Sequence, residues 1–410
     1  MDNQPFNLFG AEFKANPYPT YAAMRQTEPI CRRDAANGKS IWFITRYQDV
    51  AAILRDPTRF VKDVQNTMTP EERAALPPTP EMIDLLSNHM LNLDMPNHTR
   101  LRTLVSKAFT GSVVNRMHNQ IQTIADALLD KVQTRGQMDL INEYAYPLPI
   151  QVIAELLGVP RQDRDRFRQW SHVFVTPSVN IQRNTKKYLK AKRLMEHFTN
   201  YMRQLFAERR QQPRKDLITL LLQAEEAGDK LRDEELFSMM ILLIVAGHET
   251  VVDLIGNGVF ALLQNPAQLA LLQAQPARLE AAIEEMLRFD GPIERATIRF
   301  AAQDVEIDGH LIQRGDGVSL VLAAANHDPA QFEQPDQFDM TRSSNRHLGF
   351  GLGIHYCLGA PLGRLEGRIA VSSLLRRLPN LRLGMPSETL KWRTVPILRG
   401  LQQLPVVWDQ

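Results

Sequence analysis

One decapeptide constrains this chain more than any other: Phe350-Gly351-Leu352-Gly353-Ile354-His355-Tyr356-Cys357-Leu358-Gly359. Two glycines precede a single cysteine, and helical apolar spacing begins soon afterwards, over Leu362 to Leu378. Gly351 and Gly353 can supply the positive φ that a tight loop requires. The loop brings Cys357 close to a helix N-terminus, where unpaired N–H groups and the helix dipole stabilise a thiolate. Gly359 leaves room for a flat macrocycle against the backbone. A small buried cysteine in a glycine-rich turn is the plain alternative. The surrounding spacing favours a thiolate ligand to iron.

The rest of the chain reads as mainly helical with small β-sheets. Helical apolar spacing marks Asn115–Val132, Leu189–Arg210, Asp233–Leu263 and Ala277–Phe289, with Pro266 as a stop after the third. Strand-like stretches are Ser40–Thr45, Asp304–Asp308 and Gly317–Val321. Asp328 to Arg346 is polar and reads as a long irregular connection, and such a loop inside a domain has a functional reason. Val61 to Leu91 mixes prolines with apolar residues, as a loop or short helix over a pocket would.

Composition excludes several classes. A net charge of +2 gives no field for nucleic acid. Cys31 and Cys357 are the only cysteines, too few for a disulfide framework and suited to a reducing compartment. Met1 to Thr20 has no apolar signal or anchor, and the longest apolar run, Met239 to Ala246, falls short of a membrane span.

Three further patterns carry chemistry. In Ala246-Gly247-His248-Glu249-Thr250, a mid-helix glycine and a threonine able to bond back to a carbonyl favour a bend and a groove; a merely kinked core helix is the alternative. His248 is either a pocket residue or a satisfied core histidine. Glu285 and Arg288 share one helix face at i and i+3. His98 and Arg102, in Asp94-Met95-Pro96-Asn97-His98-Thr99-Arg100-Leu101-Arg102, share another.

From about Asn16 to its end the sequence resembles the cytochrome P450 family, and within the soluble bacterial branch it is similar to macrolide and polyketide hydroxylases. The resemblance implies one domain over residues 1–410, a triangular prism with haem b between the long central helix and the helix after the cysteine loop. It implies Cys357 as axial iron ligand, and Ala246, Phe350, Gly351 and Gly359 against the haem. His98, Arg102, Arg299 and His355 fall where the family binds the propionates. Thr250 and Glu249 resemble its proton-relay pair. Glu285 and Arg288 resemble its buried structural pair, but Gln337 replaces the arginine that many members add, so that either Arg342 substitutes or the pair stands alone.

The implied substrate regions are the Val61–Leu91 connection, the stretch around Thr176, Ile241–Thr250, Ile293–Ile298 and Pro396–Leu398. Leu91, Leu242, His248, Ile293, Thr297 and Ile397 are the candidate contacts. The implied activity is monooxygenation of a hydrophobic small molecule with O2, in a cytoplasmic monomer without membrane anchor. No flavin or nicotinamide domain is visible, so electrons are expected from a ferredoxin or flavodoxin with its NAD(P)H reductase. Arg342, Arg346, Arg364 and Arg368 form a candidate basic patch for that partner, or a solvated face. A peroxide-driven peroxygenase and a haem-binding sensor are the alternatives.

Overall fold

Trp42, Phe43 and Ile44 are consecutive and all buried, a pattern expected of an internal strand covered on both faces. Ser40–Ile44 is indeed internal. A computed structural model, describing residues 6–35, 38–78, 86–175, 186–226 and 228–410, places it second in a five-stranded sheet. The order is Ile30–Asp34, Ser40–Ile44, Gly317–Leu320, Arg299–Ala301, Phe60–Val61. Gly317–Leu320 runs parallel to Ser40–Ile44, and the other pairings are antiparallel. Ile30, Ile44, Val50, Leu54, Phe60, Val318 and Leu348 form the core against this sheet.

The chain forms two compact units. The first comprises residues 1–77, 125–145 and 250–410, and the second residues 78–124 and 146–249. Besides the large sheet, the first unit holds a three-stranded sheet, Arg382–Leu383, Pro405–Val407 and Gln137–Asp139. It also holds the helices Pro266–Ala274, Leu279–Phe289 and Ala360–Arg377. The second unit is built from Asn97–Ala108, Pro147–Leu157, Lys186–Gln211 and Leu217–Gln223. The unit boundary falls inside the Asp233–Gln264 helix, between Glu249 and Thr250.

The long helix stops at Gln264, just before Pro266 as expected, and Pro266 also opens the next helix, where its missing N–H costs little. Other expectations need correction. Asn115–Val132 divides into Gly111–Arg116 and His118–Asp130. Val305–Ile307 pairs only with His310–Ile312, in a separate hairpin. The Asp233–Gln264 helix is apolar enough over 18 residues to cross a membrane by length and composition, although 72% of that stretch is buried in the protein. The Met239–Ala246 run therefore understated it.

Charge pairs fix the second unit. Arg100 binds Asp229 through Nε at 2.5 Å and Glu235 through Nη1 at 2.7 Å. Glu235 also accepts the Arg232 N–H at 2.9 Å, which anchors the start of the long helix. The buried Arg209 donates from Nε to Asp216 at 2.5 Å and from Nη2 to the Gly158 carbonyl at 2.8 Å. Asp216 in turn caps the Leu217–Gln223 helix by accepting the Thr219 N–H at 2.8 Å. Arg209→Met would strand this carboxylate in the interior. A stability loss of about 3–5 kcal/mol is expected in urea unfolding.

Candidate active site

The cysteine loop folds as its glycines require. Gly351 has φ +69° and Gly353 φ +71°, and a Cβ at Gly353 would stand 2.3 Å from the Leu54 carbonyl oxygen. Position 353 is thus closed to any side chain twice over, by conformation and by space. The Cys357 N–H donates to the Phe350 carbonyl at 3.0 Å, and the Gly351 N–H to Leu348 at 2.8 Å. Cys357 is half-buried and stands three residues before the Ala360–Arg377 helix, which has Pro361 in its first turn. The other cysteine differs. Cys31 is fully buried in its strand, and burial pushes its thiol up to about 11. Only Cys357 has the helix-terminal, accessible setting of a working thiolate.

This donor set fits a haem iron. Among the described residues no group of three or more His, Cys, Asp or Glu gathers to hold a metal ion. The loop instead offers one sulfur, which suffices for an iron whose equatorial nitrogens belong to a porphyrin. Gly359 keeps the space beside that sulfur open: its Cβ would lie 3.9 Å from Sγ.

Comparison with known proteins decides the family. Residues 6–383 match the cytochrome P450 family model. The polyketide biosynthesis cytochrome P450 PksS of Bacillus subtilis is 41% identical, with 99% of each chain covered. The solved structure of PksS superposes with a TM-score of 0.90, over 99% of this chain and 100% of that one. The cytochrome P450 monooxygenase PikC of Streptomyces venezuelae is 44% identical over 97% of this chain and 92% of its own. A myxobacterial P450, CYP267B1, solved with myristic acid, is 42% identical at a TM-score of 0.87, covering 98% and 99% of the two chains. The chain belongs to the cytochrome P450 family. It is a haem-iron monooxygenase with that family's fold, a mainly helical one with small sheets.

In this P450 the loop is held from behind by a fully buried ion pair. Arg288 donates to both Glu285 oxygens, at 2.8 and 2.7 Å. Its remaining donors reach the carbonyls of Asn326, Pro335 and Gln337 at 2.8–2.9 Å. Glu285 further accepts from the Asp339 N–H at 2.8 Å, Asn345 Nδ2 at 3.0 Å and Arg342 Nε at 3.1 Å. Arg342 therefore takes the place of the arginine missing at Gln337. Gln337 contributes only its carbonyl, which Arg342 also binds at 2.9 Å. The pair pins both ends of the polar Asp328–Arg346 connection that leads to the loop.

The long helix is continuous through Ala246–Thr250. Gly247 has a packing reason: a Cβ there would meet Ile153 Cδ1 at 2.4 Å. Ala246 is exposed in a helix whose neighbours are largely buried. His248 is the core histidine of the two alternatives. It is fully buried, with Nε2 3.1 Å from the Tyr146 carbonyl and its ring edge-on to the Tyr146 ring. Glu249 is buried with Oε1 3.8 Å from His248 Nδ1, and Thr250 is half-buried.

The propionate candidates fall on one helix of the second unit and on two elements of the first. His98 and Arg102 lie on Asn97–Ala108, with His98 buried and Arg102 half-buried. Burial and then the Arg102 cation hold His98 below the ordinary imidazole range. Arg299 is buried at the start of its strand, and His355 ends the short turn Gly353–His355.

Of the substrate candidates, Leu242 is buried and Leu91 half-buried. Ile293 bridges to Leu398, and Ile397 and Ile298 expose 38% of their surface. Thr297 Oγ1 accepts from Lys62 Nζ at 2.8 Å, and Lys62 also reaches the Ile298 carbonyl at 2.6 Å. A buried lysine in the mixed Val61–Leu91 connection had no sequence signal. Residues 79–85 of that connection, and Thr176, lie outside the described residues.

The basic patch does not survive as such. Arg342 is spent on Glu285, Arg368 binds Glu280, and Arg364 forks onto Glu284 at 2.6 and 2.8 Å while stacking on Phe350. Of the four only Arg346 is exposed without a carboxylate partner. Burial alone would raise the Glu284 carboxyl, but Arg364 and His347 outweigh it and bring it down to about 2. The depressed value means this carboxylate stabilises the fold above its unfolded value of 4.5 and stops doing so as pH falls toward 2. The stability difference between wild type and Glu284→Gln, measured by urea unfolding, should be constant above about pH 4.5 and shrink steadily below it. A pH-independent difference would remove the ionised pair from the account.

Proposed function

We propose that this P450 hydroxylates or epoxidises a hydrophobic small molecule of polyketide, macrolide, terpenoid, steroid or fatty-acid type. It uses O2 and two electrons from a separate ferredoxin or flavodoxin with its NAD(P)H reductase. The observation that carries the reading is the half-buried Cys357 sulfur at the head of the Ala360–Arg377 helix, in a loop whose positive-φ turns at Gly351 and Gly353 favour glycine. The names of two relatives bear on the substrate: PksS is a polyketide-biosynthesis protein, and CYP267B1 was solved with a fatty acid.

Haem bound through that sulfur supplies oxygen activation, with thiolate donation favouring O–O cleavage. The chain supplies the rest. Phe350, Gly351 and Gly359 shape the loop about the sulfur, and Ala246 keeps the helix surface low. Arg102 and Arg299 would neutralise the two propionates, whose charge otherwise carries a desolvation cost, and His98 and His355 would hydrogen-bond and orient them. Thr250 passes protons at its Oγ, and the Glu249 carboxyl, protonated in turn from solvent, resupplies them. Leu91, Leu242, Ile293, Thr297 and Ile397 confine the substrate and exclude water. His248 supports the helix through Tyr146 rather than by touching substrate.

We read residues 1–410 as one catalytic domain, since the continuous Asp233–Gln264 helix carries residues of both units. A cytoplasmic monomer suits a chain whose two cysteines form no disulfide and whose one membrane-length apolar helix among the described residues is mostly buried.

Cys357→Ser and Cys357→His should each abolish the thiolate-type absorption band of the reduced, carbon monoxide-treated protein. A wild-type band of imidazole type would end the reading. Thr250→Ala should keep consuming NADPH with a surrogate ferredoxin system while product per NADPH falls by about tenfold or more and peroxide rises. Unchanged coupling would take Thr250 out of the relay.

A further inference from the structure

Every carbonyl of the Pro396–Arg399 turn is held from inside the protein. Arg295 grips the Pro396 carbonyl with two nitrogens of its fork, Nε at 3.0 Å. The Glu294 N–H donates to the Ile397 carbonyl at 3.0 Å. Lys14 Nζ reaches the Leu398 carbonyl at 3.1 Å, and Asn257 Nδ2 the Arg399 carbonyl at 2.9 Å. Lys14 and Glu294 are themselves paired at 2.7 Å, with side chains 3% and 0% exposed. The Tyr21 hydroxyl donates to the second Glu294 oxygen at 2.8 Å. Against this rigid backing, the Ile397 side chain stands out with 38% of its surface exposed.

A buried ion pair is a poor way to add stability, because well-packed apolar side chains of similar volume do as well or better. Burial in fact draws the Lys14 ammonium below its ordinary value, with Glu294 opposing that shift. What such a pair does supply is direction. The donors here end on specific carbonyls of one short turn, and Lys14 reaches it from a helix 384 residues earlier in the sequence.

We propose that Lys14, Glu294 and Arg295 are positioning residues for the substrate: they fix the Pro396–Leu398 turn so that Ile397 presents its side chain to the hydrophobic substrate at one place. The N-terminal segment Ala11–Ala15 thereby sets substrate placement without touching substrate. The inference rests on the reading of that turn as a substrate contact.

The test uses haem-loaded protein and two iron-binding probes: imidazole, confined to the iron, and 1-dodecylimidazole, whose chain extends away from it. Binding is read from the Soret band. Ile397→Ala, Lys14→Met and Arg295→Gln should each weaken 1-dodecylimidazole about threefold to tenfold, and imidazole by less than about twofold. Lys14→Arg should recover most of the loss. If Lys14→Met gives no haem-loaded protein, Arg295→Gln decides by the same measure. A weakened Ile397→Ala beside wild-type binding in Lys14→Met and Arg295→Gln would overturn the positioning role alone. Wild-type binding in Ile397→Ala would remove the turn from the substrate site, and the proposal with it. Equal weakening of both probes would mean damage at the haem, and would also overturn it.

Discussion

Everything near the sulfur depends on the Glu285–Arg288 ion pair. Two fully buried charges are costly to desolvate and survive only when every donor and acceptor is used. Here Arg288 spends its fork on Glu285 and three backbone carbonyls, while Glu285 collects Arg342, Asn345 and a backbone N–H. The result is a polar core around which an otherwise irregular connection is wound. From the outside, Tyr47 adds two ties: its N–H bonds Asp328 at 2.8 Å and its hydroxyl the Arg346 carbonyl at 2.7 Å. A long loop without regular structure is affordable because its backbone groups are satisfied by side chains.

That arrangement explains what could be read in the sequence and what could not. The loop around Cys357 was legible because its demands are local: positive φ, no side chain, a helix start. The Glu285–Arg288 pair was legible because it lies within one helical turn. Arg342 could only be offered as one of two options, since its contact with Glu285 spans 57 residues of chain. The long helix showed in its periodicity, but the packing of Ile153 against Gly247 could not be read, because Ile153 lies far away in sequence. His248 was undecidable for the same reason, since its partner Tyr146 lies 102 residues earlier.

Charge misled in a different way. Four arginines around the cysteine loop look, as a sequence, like a basic face. Three of them are matched to carboxylates on the Leu279–Phe289 helix, whose Glu280, Glu284 and Glu285 take one or more each. Counting cations in a segment says little when the compensating anions come from another element. Lys62 and Lys14 show the converse: nothing in the sequence marks either, and both are buried because backbone carbonyls and neighbouring side chains accept their hydrogen bonds.

Gly353 carries a consequence beyond its own loop. Its Cα sits so near the Leu54 carbonyl that the end of the Tyr47–Leu54 helix acts as a backstop for the turn bearing the sulfur. The decapeptide is therefore only half of a two-part fitting, the other half lying some 300 residues upstream. Grafted onto another scaffold, the same ten residues would lack the surface they press on. A repacking of the N-terminal sheet that shifted Leu54 by a fraction of an ångström would travel to the metal-binding atom without altering a single residue beside it.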